Sequence, residues 1–131
     1  MPRFRYDKLV RDNIPGWHVV EGHTVHARTL QGVDLKHALI QKLHEEADEI
    51  PISDVASDAV TEELADVYQV FCDLAETYGL SMEQIEAVRR TKLYKKGGFL
   101  GGHYVEEIAM PTEDTWTEYC RNSPDKYPEI Q

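Results

Sequence analysis

The sequence predicts an all-α fold, an antiparallel helical bundle completed by association of chains, with a small irregular or β segment near the amino terminus. Three observations predict it. Apolar residues recur at helical spacing in three stretches, those stretches are bounded by capping and stop residues, and only one short stretch alternates as a strand would.

Residues 1–15 carry the basic side chains Arg3, Arg5, Lys8 and Arg11 and end at Pro15. Residues 16–33 contain Gly16, Gly22 and Gly32, with β-like alternation from Thr24 to Leu30, and read as a loop with one small strand or hairpin. A first helix is expected from Asp34, as its N-cap, to Ile50. Leu35, Leu39, Leu43, Ala47 and Ile50 form its apolar stripe, and Pro51 stops it. The second runs from about Ala56 to Tyr78 with Val60, Leu64, Val67, Phe71, Leu74 and Tyr78 on one stripe. Val70 and Ala75 lie off it, and Gly79 is the stop. Ser81 and Gln84 form a capping box for a third helix, which carries Ile85 and Val88 and ends at Gly97-Gly98. Beyond Phe99 the periodicity fades. The aromatics Tyr104, Trp116, Tyr119 and Tyr127 nevertheless argue for a tail that packs on the helices or on a second subunit, with one short helix around Glu113 to Arg121. The 131 residues suit a single domain, with catalytic helices over 34–97 and an aromatic extension over 98–131. Two-sided apolar helices on so short a chain predict a homodimer or higher homo-oligomer.

Composition narrows the function. With 41% hydrophobic and 29% charged residues the chain is a folded protein. No apolar run is long enough to span a bilayer, and the amino terminus has no apolar signal core, so a cytoplasmic protein without a membrane partner is expected. Cys72 and Cys120 lack CxxC spacing and make neither a disulfide framework nor a zinc site, and Cys72, among Val70, Phe71 and Leu74, reads as a buried reduced thiol. The net charge of −10 argues against nucleic-acid binding. A small phosphate-bearing substrate then requires metal ions or a local basic cluster to offset repulsion.

The chemistry is concentrated in two acidic runs. Glu45, Glu46 and Glu49 lie on the first helix, and Glu62, Glu63 and Asp66 lie on the second. Glu46 with Glu49, and Glu63 with Asp66, are spaced as neighbours on one helix face and border the apolar stripes. If the helices pack through those stripes, four carboxylates converge and a hard divalent cation relieves their repulsion. The all-oxygen set favours Mg²⁺ or Mn²⁺ over zinc. The alternative is that these are the solvated faces of two acidic helices. Lys92, Lys95 and Lys96 lie on the last turn of the third helix before Gly97-Gly98, where they serve either as phosphate-binding charges or as cations favoured by the helix dipole. Lys8 and Arg11 admit the same two readings, phosphate binding or balance of an acidic surface.

These residues resemble the MazG-like all-α nucleoside triphosphate pyrophosphohydrolase superfamily. That family carries EExxE on one helix, here Glu45, Glu46 and Glu49, and ExxD on the next, here Glu63 and Asp66. KLYKKGGF at 92–99 is similar to the basic segment and glycine pair of many members. YDKLVRDNIP at 6–15 is similar to the opening of a house-cleaning subgroup often named after phosphoribosyl-ATP pyrophosphohydrolase. The resemblance covers residues 6 to about 99. It implies a helical oligomer that hydrolyses a noncanonical nucleoside triphosphate to the monophosphate and pyrophosphate. It further implies Glu46, Glu49, Glu63 and Asp66 as Mg²⁺ ligands, and Glu45 as a further ligand or the group that orients water. Lys92 and Lys95 would neutralise the phosphates. Two alternatives stand beside it: a phosphoribosyl-ATP pyrophosphohydrolase of histidine synthesis, and a non-catalytic nucleotide-binding or interaction module.

Overall fold

A computed structural model describes all residues from Met1 to Gln131, which form five helices and no strand. The helices are α1 (Ile14–Val20), α2 (Gly32–Asp48), α3 (Asp58–Thr77), α4 (Met82–Lys96) and α5 (Thr115–Arg121). The chain divides into two compact units, Met1–Tyr94 and Lys95–Gln131. No helix is long and apolar enough to cross a membrane.

In the first unit, the expected strand or hairpin between Thr24 and Leu30 is absent. That stretch is irregular, and a short helix, α1, precedes it. Residues after Pro15 were expected to form a loop, yet proline at the first helical positions is compatible with a helix start because its missing N–H is one that no helical carbonyl would accept. α2 starts ahead of the expected Asp34. Its N-cap is Gln31, without a side-chain cap bond, and Asp34 sits in the first turn, where its charge suits the helix dipole. Gly32 at φ +57° supplies the backbone turn that moves the start forward.

The other boundaries follow their local chemistry. Ser57 caps α3 by accepting the Val60 N–H at 3.3 Å. At the far end Gly79 adopts φ +67°, its N–H donates to the Glu76 carbonyl at 2.9 Å, and the Leu80 N–H donates to that of Ala75 at 3.1 Å. This pair of bonds closes the helix in a Schellman turn. The capping box of α4 is reciprocal. The Ser81 N–H donates to Gln84 Oε1 at 2.7 Å, and the Gln84 N–H donates to Ser81 Oγ at 3.1 Å.

Packing in this unit is between α2 and α3. Leu39 of α2 and Val70 and Ala75 of α3 are its buried apolar residues. The buried face of α3 is therefore rotated from the expected stripe: Val67, Phe71 and Leu74 are half-buried, while Leu64, Tyr68 and Tyr78 are exposed. α3 is apolar on more than one side, so periodicity left its inward face ambiguous. The observed face carries Glu63 and Asp66 with it. Cys72 and Cys120 are free and half-buried, so Cys72 is less enclosed than its apolar neighbours implied.

In the second unit, α5 forms where a short helix was expected. Asp114 accepts the Trp116 N–H at 2.8 Å, and the Thr117 hydroxyl donates to the Pro111 carbonyl at 2.7 Å. Trp116 and Tyr119 meet edge to face and Tyr127 leans on Tyr119, a small aromatic cluster whose members remain largely exposed.

Candidate functional site

Two turns of helix after Leu39, on the same face of α2, comes Glu46. It occupies what periodicity makes a core position and is only 8% exposed. α3 presents Glu63 and Asp66 to the same region, and carboxylate oxygens of Glu46, Glu63 and Asp66 all lie within 4.8 Å of one another. The α2–α3 interface thus ends in three acids rather than in more hydrocarbon.

Two carboxylate oxygens of these residues, Glu46 Oε2 and Glu63 Oε2, are buried with no hydrogen-bond partner. A buried acceptor without a donor costs about 1–3 kcal/mol, more when charged. Glu63 responds as expected for a crowded acid. Burial pushes its pKa above the ordinary carboxylate range, and the charges of Glu49, Asp66 and Glu46 push the same way, with a hydrogen bond to Glu46 adding to the effect once the proton is present.

Two cations offset part of this negative charge. Lys42 Nζ lies 3.2 Å from Glu46 Oε1 and 3.4 Å from Glu45 Oε2. Burial lowers the Lys42 pKa, but hydrogen bonds and attraction from Glu46 and then Glu45 outweigh it, and the ammonium is held above its usual value. Arg11 Nη2 lies 2.6 Å from Asp66 Oδ1. Glu46 and Asp66 thus each have one cation partner and Glu63 has none, and the three acids together make an oxygen-only set that a divalent cation could occupy.

The structure brings together Glu46, Glu63 and Asp66, and it joins Arg11 to them. Glu49 is exposed at the C-cap of α2, outside the close group, though its charge is the largest single carboxylate influence on Glu63. Glu45 is half-buried and held by Lys42, and Glu62 is exposed. Lys8 is exposed, its ammonium 5.7 Å from the Tyr6 ring centre. Lys92 is exposed on α4 and forms no ion pair with the carboxylates. Lys95 and Lys96 are exposed and belong to the second unit.

Lys42 was missed by the sequence reading. Its signal was present, since Glu45 and Glu46 follow it by three and four residues on one helix. Two surface concavities lie elsewhere. One of about 340 Å³ is lined by Ile14, Trp17, His18, Glu21 and His23, and one of about 290 Å³ lies beside Arg28 and His37. Both are shallow and neither includes a carboxylate of the group, so unmet charge marks the candidate site better than concavity does. No family model matches the chain, and neither a curated protein nor a solved structure matches it.

Proposed function

We propose that this chain is a divalent-metal-dependent hydrolase that converts a nucleoside triphosphate, by resemblance a noncanonical one, to the monophosphate and pyrophosphate. The observation that carries the reading is the meeting of Glu46 and Glu63, each with a buried oxygen that no donor satisfies, beside Asp66. An oxygen-only set without His or Cys suits Mg²⁺ or Mn²⁺, and Glu46, Glu63 and Asp66 would hold the ion while Glu49 adds negative charge nearby. When bound, such an ion neutralises phosphate oxygens and acidifies water.

The chain's own residues supply the rest. Lys42 fixes Glu46 from the enclosed side of the interface. Glu45, held by the same lysine and outside the close group, is the carboxylate available to orient water and accept its proton. Water oxygen bonds to phosphorus, the anhydride P–O bond breaks, and pyrophosphate and monophosphate separate. Lys8 and Lys92 are exposed point charges suited to a polyphosphate chain. The assembly belongs to the same reading. Leu64 and Tyr68 of α3 and Val88 of α4 are exposed, and a second copy of the chain would cover them in a homodimer or higher homo-oligomer.

The test is pyrophosphate release from a panel of standard and damaged nucleoside triphosphates with Mg²⁺ or Mn²⁺, using protein whose mass is measured by light scattering. The expected result is turnover of at least one substrate, abolished by EDTA, in a species heavier than the 15.1 kDa chain. A panel with no turnover above the blank would remove the enzymatic reading.

A further inference from the structure

We infer that Arg11 is the counter-cation of the carboxylate site. It holds Asp66 while no divalent ion is present, and it yields Asp66 and turns to the nucleotide's phosphates when one binds. The inference rests on the metal-site reading above and assigns a regulation to that site.

Its basis is a contact that bridges 55 positions of sequence. Arg11 Nη2 donates to Asp66 Oδ1 at 2.6 Å and so ties the amino-terminal segment to α3. The backbone that presents Arg11 is anchored. The Arg11 carbonyl accepts the Ile14 N–H at 3.0 Å, and the Asn13 carbonyl accepts the Trp17 N–H at 3.1 Å, at the entrance to α1. The guanidinium is therefore offered from a fixed turn, and its reach is that of one side chain.

The two cations that flank the acids differ in exposure. The Lys42 side chain is 20% exposed and the Glu46 side chain it holds is 11% exposed, whereas Arg11 is 62% exposed and Asp66 35%. The lysine is a built-in part of the interface, and the arginine sits at the open side. An ion pair so exposed contributes little, so it is readily exchanged. A divalent cation brings twice the charge to the same carboxylate and repels the guanidinium beside it. By linkage, each then weakens the hold of the other on Asp66. A guanidinium released at that point has a matching partner in phosphate, whose oxygens accept its N–H fork as a carboxylate does.

The experiment is calorimetric titration of the metal-free full chain with Mn²⁺, without nucleotide, for the wild type, Arg11→Ala and Arg11→Lys, followed by measurement of KM for a substrate found in the panel. Arg11→Ala is expected to bind Mn²⁺ about two- to fivefold more tightly than the wild type, the worth of one exposed ion pair. Arg11→Lys should fall between the two, and KM should rise in Arg11→Ala. Unchanged or weaker Mn²⁺ binding by Arg11→Ala would overturn the inference and leave Arg11 as a group that merely orients Asp66. Tighter binding with an unchanged KM would overturn its phosphate half. Failure of the wild type to bind Mn²⁺ would instead refute the metal site itself, and the inference with it.

Discussion

Glu63 on α3 and Glu86 on α4 are the same side chain on neighbouring helices, and their surroundings drive them in opposite directions. Glu86 is exposed and receives two hydrogen bonds from Arg89, at 2.6 and 2.8 Å, with Arg90 at 3.6 Å. The Arg89 hydrogen bonds hold its carboxyl below the usual range, against a smaller desolvation effect. Glu63 is half-buried against other acids, one of its oxygens has no partner, and burial followed by like charge pushes its pKa up. A carboxylate on a solvated helix face finds its own cations within a turn. A carboxylate at the α2–α3 interface finds other carboxylates. The difference separates a solvated helix face from a cluster of acids short of donors.

The largest effect should come from removing a carboxylate of the close group. Glu46→Gln or Asp66→Asn should lower kcat/KM by roughly 100-fold or more, because metal-ion stabilisation of a transition state is worth several kcal/mol. Steady-state pyrophosphate release checks this, and circular dichroism should show the helices retained. Normal turnover would return the residue to the solvated class.

The next effect concerns pH. The folded-state pKa of Glu63 is raised, so its protonated form is the one the fold prefers. Its contribution to stability is fully present below the unfolded carboxylate value of 4.5 and is lost as pH rises through the raised folded value. Metal-free Glu63→Gln, which keeps the neutral shape, should therefore be more stable than the wild type near pH 7, and the gap should close as pH falls below 4.5. Urea midpoints of the two proteins across pH measure it. A constant gap would show that Glu63 is not the strained group.

Glu86→Gln marks the small end. Its pairs with Arg89 and Arg90 are exposed, so the urea midpoint should barely move, and turnover should not change. A large loss of activity would erase the contrast between the two helices.

How far this was legible in the sequence depended on how local the cause was. The helix ends that were legible have partners a few residues away, Ser81 with Gln84 and Gly79 with Glu76, whereas the start of α2 at Gln31 instead of Asp34 was not. The acidic pairs were legible as spacings, and Glu46 and Glu63 with Asp66 do converge. What was not legible needed tertiary information. α3 has apolar residues around much of its circumference, so the choice of Val70 and Ala75 over Leu64 and Tyr78 was made by α2. α1 is too short for periodicity to declare itself across a proline and a glycine. The partner of Arg11 lies 55 residues away, beyond any local pattern. The expected strand failed because alternation in an exposed segment finds no second strand to pair with.

If Glu46, Glu63 and Asp66 form a cation site and Glu86 does not, only the first group should couple Mn²⁺ to folding. The most direct measurement is the thermal midpoint of the wild type, Glu46→Gln and Glu86→Gln with and without Mn²⁺. Ligand that binds only the folded state raises the midpoint as its concentration exceeds Kd. Mn²⁺ should raise the midpoint of the wild type and of Glu86→Gln alike and leave that of Glu46→Gln nearly unmoved. An equal rise in all three proteins would contradict the cation site.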